Sequence, residues 1–196
     1  MRKSNETIEQ HAIDFLHQYN AEDNIPVPIE QIVELALGIT IVPIKELLRQ
    51  HHVDGFLSHD CQTIYIDEDN YMSQANRARF TLAHEVGHLF MHKHIIENIK
   101  TLDAWKAHIL GAGTGRAIYE TEANIFAGCV LMPAAKVLDA YQEAQKKVII
   151  SFKELKLPIP EHNKIVPYVA SEIARLFDVS DQAAEIRLRN IVKSMF

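Results

Sequence analysis

One stretch limits what this chain can become: Arg79-Phe80-Thr81-Leu82-Ala83-His84-Glu85-Val86-Gly87-His88-Leu89-Phe90. It contains His-Glu-x-x-His, a pattern with which a single helix can hold zinc. Residues four apart on an α-helix lie about 40° apart around its axis and about 6 Å along it. His84 and His88 can therefore offer their imidazoles to one ion, with Glu85 on the edge of the same face. Zinc lowers the pKa of a bound water to about 7, and Glu85 is placed to take that water's proton. The chain has 11 histidines, so an accidental pair on a solvated face has to be weighed. Phe80, Leu82, Ala83, Val86, Leu89 and Phe90 argue against it. They predict a largely buried helix, in which polar side chains need partners.

A chain of 196 residues, 47% apolar and 23% charged, fits a globular protein able to bury a core without disulfides. A net charge of −6 gives no support for coating nucleic acid or an anionic membrane. Cys61 and Cys129 form no C-x-x-C pair, and they read as a turn thiol and a small core hydrophobe. With no apolar run behind Arg2 and Lys3, and none long enough to span a bilayer, the expected location is the cytoplasm, with no membrane partner.

The apolar spacing of Ile8, Ala12, Phe15, Leu16 and Tyr19 predicts an amphipathic helix capped by Ser4. A second helix is expected over Ile29–Leu37, stopped by Gly38, then a short strand over 39–42 and a helical turn over 45–50. Val53–Leu57 and Thr63–Asp67 predict a β-hairpin with Ile64 and Ile66 on its buried face. Ser73 reads as the cap of the zinc helix, which is expected to run to about Lys93, with a further helix over Ile95–Leu110. Gly111-Ala112-Gly113-Thr114-Gly115 matches no phosphate-binding pattern and reads as a connection. Helices follow over Tyr119–Leu131, Ala134 to about Lys147, Val166–Phe177 and Ser180 to about Lys193, with Leu157-Pro158-Ile159-Pro160 as a linker. The expected fold is α+β: a mostly helical zinc-peptidase domain over 1–156 with a small antiparallel or mixed sheet. A helix-turn-helix-like extension over 157–196 is expected to pack on it.

Two histidines and a water leave zinc one protein ligand short. Three histidines on a straight helix cannot converge on one ion, which sets His92 aside. His94 stands where the motif H-E-x-x-H-x-x-G-x-x-H places a third ligand, but Met91 occupies the position of the required glycine. Glu120 and Glu122 remain. Glu120 shares a face with Ala123, Asn124 and Ala127, small side chains that allow close packing. Glu122 lies about 200° away and is expected to meet solvent. The expected ligands are thus His84, His88 and Glu120, with Asn124 hydrogen-bonding the free ring nitrogen of a histidine.

Arg79-Phe80-Thr81-Leu82-Ala83-His84-Glu85-Val86-Gly87-His88, followed by Glu120-Thr121-Glu122-Ala123-Asn124-Ile125-Phe126-Ala127-Gly128-Cys129-Val130-Leu131-Met132-Pro133, resembles the ImmA/IrrE family of zinc metallopeptidases. The Pro26-Val27-Pro28-Ile29-Glu30 segment, the hairpin and the tail from Ile173 to Ser180 extend the resemblance more loosely over most of the chain. The resemblance implies a gluzincin-like peptidase whose protein substrate is a helix-turn-helix repressor of a phage, mobile element or stress regulon. It also agrees with Glu120 as ligand, through E-x-x-A-N. Larger relatives carry a C-terminal sensor domain, for which a chain ending at Phe196 is expected to be too short.

From Ile165 onward four basic residues (Arg175, Arg187, Arg189, Lys193) face four acidic ones (Glu172, Asp178, Asp181, Glu185). That balance disfavours direct DNA binding. The leading expectation is a zinc endopeptidase with Glu85 as general base; the alternative is a DNA-binding regulator with a structural or sensory zinc. Tyr119, His108, His162 and Tyr168 are candidates for stabilising the oxyanion.

Overall fold

The structure, a computed structural model, describes residues 2–99, 101, 104, 107 and 116–193. His108, the glycine run at 111–115 and half of the helix expected over 95–110 lie outside the described residues. The chain forms two compact units, 1–130 and 131–196.

The first unit is mostly helical around a small sheet. Helix α1 (Asn5–Tyr19) starts where Ser4 Oγ accepts the Thr7 N–H at 3.2 Å. Its buried stripe is Ile8, Ala12 and Phe15. Helix α2 (Ile29–Gln31) continues as a π-helical turn (Ile32–Ala36), and Gly38, at φ +67°, supplies the left-handed residue that ends it. Strand β1 (Thr40–Ile44) and helix α3 (Leu47–His51) follow.

Strands β2 (Gly55–Leu57) and β3 (Thr63–Asp67) form the expected antiparallel pair, with Leu57 opposite Ile64. β1 joins the other side of β3 in parallel, Thr40 opposite Thr63, so the order is β1-β3-β2. β3 is therefore the central strand and β2 an edge. Ile64 and Ile66 are fully buried, as the alternation predicts.

The entry to the long helix differs from expectation. The side chain of Asp67, not Ser73, caps a helix here: Oδ1 accepts the Asn70 N–H and starts α4 (Glu68–Ser73), while Oδ2 accepts the Leu48 N–H. Because Asp67 nucleates this turn, Ser73 falls at its end, and the chain breaks at Gln74 (φ −131°) before α5 (Ala75–Ile96) begins. Helix α6 (Arg116–Leu131) completes the unit. Phe15 of α1 meets Phe90 of α5 and Phe126 of α6 at ring-centroid distances of 5.1 and 5.8 Å. This aromatic cluster fixes the three helices against each other.

The second unit contains α7 (Ala134–Glu154), longer than the expected 134–147, α8 (His162–Phe177) and α9 (Asp181–Lys193). The boundary expected at 156/157 falls between α7 and α8, which pack together within this unit. Asp178, in the left-handed region at φ 52°, and Ser180, whose Oγ accepts the Ala183 N–H, make the turn between α8 and α9. Ile165, Val169, Ile173, Phe177, Ala184 and Leu188 are buried in the unit's core. Among the described residues no single helix is long and apolar enough to cross a membrane.

Candidate metal centre

Helices α5 and α6 approach closely because small residues face each other. A Cβ on Gly87 would stand 3.1 Å from the ring of Phe126 and 3.3 Å from Ala123 Cα. The contact line thus runs through Ala123. Counting about 100° per residue, Glu120 lies about 60° to one side of Ala123 and Glu122 about 100° to the other. Both glutamates flank the contact, and each reaches a different part of α5.

Glu120 meets the two histidines of the motif. Its Oε2 lies 3.1 Å from His84 Nε2 and its Oε1 3.6 Å from His88 Nε2, and the two Nε2 atoms are 3.0 Å apart. These donor atoms all fall within 4.8 Å of one another, a cluster able to hold a metal ion. Behind His84, Nδ1 lies 2.9 Å from Asn124 Oδ1, an oxygen that can only accept. The His84 proton therefore sits on Nδ1, and Nε2 turns a lone pair toward the Glu120 carboxylate. Two acceptors at that distance repel unless a cation or proton lies between them.

The titration of these groups expresses the same preference for positive charge. Burial lowers the pKa of His84, but the hydrogen bond to Glu120 and the charges of Glu85 and Glu120 outweigh it, and the net shift is upward. Burial raises that of Glu120, yet the bonds to His84 and His88 hold the carboxyl far below the usual carboxylate range. The Glu120 side chain is 33% exposed against 13% and 10% for the two histidines. The cluster is open on that side, unlike a closed four-ligand structural site.

Glu85 is buried, and its Oε2 accepts the Leu57 N–H at 2.8 Å. The register explains why that amide is available. Ser58 N–H bonds Thr63 O and Asp67 N–H bonds Asp54 O, so along β2 alternate residues turn away from β3. Gly55 and Leu57 are those residues, and Glu85 receives one of the outward amides.

The expectation that Glu122 meets solvent is overturned. It is fully buried. Its Oε2 lies 3.0 Å from His92 Nε2, its Oε1 accepts the Lys3 N–H at 2.6 Å, and the Lys3 ammonium stands 3.3 Å from Oε2. Helical spacing alone centres the contact on Glu120, whereas the Gly87–Ala123 approach centres it on Ala123 and brings Glu122 against α5 as well. Burial raises the pKa of Glu122, but the bonds from His92 and Lys3 leave it lowered overall. His92, 2% exposed, is pushed down to about 4, chiefly by burial. Its Nδ1 lies 3.1 Å from His88 Nδ1. His92 thus lies outside the cluster of donor atoms and sits directly behind His88. Sequence reasoning missed this row and the Leu57 amide; the available signals were Gly87 opposite Ala123 and the one-turn step from His88 to His92.

The oxyanion candidates separate. The ring of Tyr119 stacks on His92 at 5.0 Å. Tyr168 belongs to the second unit, where it lies 63% exposed with its ring 5.8 Å from that of Phe152. The side chains of His108 and His162 lie outside the described residues.

No match was found among curated proteins. A family model, Peptidase_M78, described as the IrrE N-terminal-like domain, matches residues 35–189. That span takes in every side chain of the cluster and its supports except Lys3, and the chain belongs to this ImmA/IrrE peptidase family.

Proposed function

We propose that the chain is a zinc-dependent endopeptidase, with His84, His88 and Glu120 as ligands and Glu85 as general base. The observation that carries this reading is the convergence of two imidazole Nε2 atoms and a carboxylate at a site open on one side. When bound there, zinc would polarise the scissile carbonyl and bring a water's pKa near neutrality. Glu85 takes the proton of the attacking water and delivers it to the leaving amine nitrogen as the peptide bond breaks. The Leu57 N–H holds one of its oxygens, so the carboxylate keeps its orientation through both transfers. Asn124 orients His84 from behind.

An extended substrate would add to the outer edge of β2, where the backbone of Gly55 and the Leu57 carbonyl point away from β3. Placing the base and an edge strand one hydrogen bond apart suits a polypeptide substrate. A helix-turn-helix repressor is the proposed target, on the strength of the family resemblance. The alternative of a DNA-reading C-terminus finds little support: Arg187 is buried with Nε bonded to Met132 O, and Arg189 is paired with Glu185.

The test is Glu85→Gln. Its amide oxygen can still accept the Leu57 N–H, so zinc content and fold should persist while cleavage is lost. Wild type and variant would be incubated with helix-turn-helix repressors encoded beside this gene, and products read by mass spectrometry. Undiminished cleavage by Glu85→Gln would remove Glu85 from the role of base.

A further inference from the structure

We infer that His92 and Glu122, closed off by Lys3, are positioning residues for His88. They form a buried row of hydrogen bonds that decides which nitrogen of His88 carries the proton and so turns its Nε2 toward His84 and Glu120. This inference rests on the proposed metal site and adds the means by which one of its ligands is held.

An ionised Glu122 can only accept, and it receives the Lys3 N–H at 2.6 Å, the Lys3 ammonium at 3.3 Å and His92 Nε2 at 3.0 Å. His92 must therefore carry its proton on Nε2. In a neutral imidazole one nitrogen donates and the other accepts, so with Nε2 committed to Glu122 the Nδ1 of His92 presents a lone pair. That lone pair lies 3.1 Å from His88 Nδ1, which must then be the donor. His88 Nε2 is left without a proton, the only form in which it can bind a metal. If the row ran the other way, Nε2 would carry the proton and His88 would be closed to coordination. Each member has one role fixed by its neighbour.

Nothing in the packing alone calls for this row. Two buried polar groups on separate helices could be replaced by an apolar pair of similar volume, and burying them is worthwhile only if every bond is made. The bonds made here end on His88. His84 is treated separately, by the exposed amide of Asn124, so the two histidines are held by different devices. Lys3 lies ahead of the family match at residues 35–189 and 119 positions from Glu122. The segment before α1 is thereby part of the support of the metal centre.

Two measurements test the row. In metal-free wild type with 15N-labelled histidine, long-range 1H–15N correlation at neutral pH should show His92 protonated on Nε2 and His88 on Nδ1. A His92 protonated on Nδ1, or a His88 protonated on Nε2, would overturn the inference, with no dependence on metal or on any variant folding. Zinc affinity would then be measured by chelator competition. His92→Phe, which keeps a ring but removes both nitrogens, should bind about 10- to 100-fold more weakly. His92→Gln, whose amide oxygen can still accept from His88, should recover part of that loss. A purely structural role would lower the unfolding temperature of His92→Phe and leave the affinity of its folded fraction within twofold of wild type; that result also overturns the inference. If wild type binds no zinc, the metal reading of His84, His88 and Glu120 fails, and the tautomers alone decide the row.

Discussion

Substituting alanine at two glycines isolates the close approach on which the proposed metal centre depends. Gly87 lies in the middle of α5 and Gly128 in α6, and alanine is preferred over glycine in a helix interior by about 1 kcal/mol. A Cβ at Gly128 meets nothing within 4 Å, so Gly128→Ala should stabilise the protein by about that amount. At Gly87 the same atom would stand 3.1 Å from Phe126 Cδ1, 3.3 Å from Ala123 Cα and 3.4 Å from Ala123 O. Two of these are backbone atoms, which cannot turn aside as a side chain does, so α6 itself must move. Overpacking of this kind costs about 1–3 kcal/mol. Set against the same propensity gain, Gly87→Ala should end about 1–3 kcal/mol below Gly128→Ala. The separation also displaces Glu120 from His84 and His88, so zinc affinity should fall in Gly87→Ala and hold in Gly128→Ala. Urea unfolding in the presence of EDTA gives the stabilities, and chelator competition gives the affinities. Equal stabilisation by both substitutions, with zinc binding unchanged, would refute the claim that Gly87 sets the distance between the helices.

Two further outcomes follow from groups outside the centre. Arg187→Met should destabilise by about 1–3 kcal/mol, because the buried Met132 carbonyl loses a charged donor, whereas breaking the exposed Arg189–Glu185 pair should cost less than about 1 kcal/mol; comparable small losses in urea unfolding would show that Arg187 is no part of the core. The Tyr71 hydroxyl donates a hydrogen bond to Glu30, and this bond, with burial second, pushes its pKa up to about 12. For an acid raised in the folded state, the stability contribution is complete below the ordinary value near 10 and is lost as pH rises through about 12. In an ultraviolet titration of the six tyrosines, Tyr141, raised by burial, should also ionise late, and the late phase of wild type should lose one tyrosine, the latest, in Tyr71→Phe. An unchanged late phase in that variant would reassign it to another ring.

The parts of the site legible in the sequence are those that lie within one helix. His84, Glu85 and His88 share a face by local geometry alone, and Glu120 and Asn124 keep their one-turn spacing, so the structure brings all five to the same place. What spacing cannot supply is the direction of the neighbouring helix. Spacing alone refers the phase of α6 to Glu120 and sends Glu122 to solvent; the true reference is Ala123, chosen by Gly87 across the interface. Lys3 is further out of reach, since no local pattern links a residue ahead of the first helix to one 119 positions away. The same limit hid the position of β3, because its parallel partner β1 arrives across an intervening helix and strand rather than through a tight turn. Ser73 failed as a cap for a different reason: Asp67, six residues earlier, had already satisfied the first turn of a helix.

Glu120 and Glu122 show how far role depends on surroundings. They are the same side chain, two residues apart on one helix, and both are held below the ordinary carboxylate range. One is a third exposed and faces two imidazole nitrogens across a gap that calls for a cation. The other is sealed, satisfied by an ammonium, an amide and a ring nitrogen, and acts on the site only through His92. Bringing Glu122 to where Glu120 stands would require turning α6 by about 160°, which the pairing of Gly87 with Ala123 forbids. The smallest residues at the interface, which carry no chemistry of their own, therefore decide which carboxylate is available to a metal.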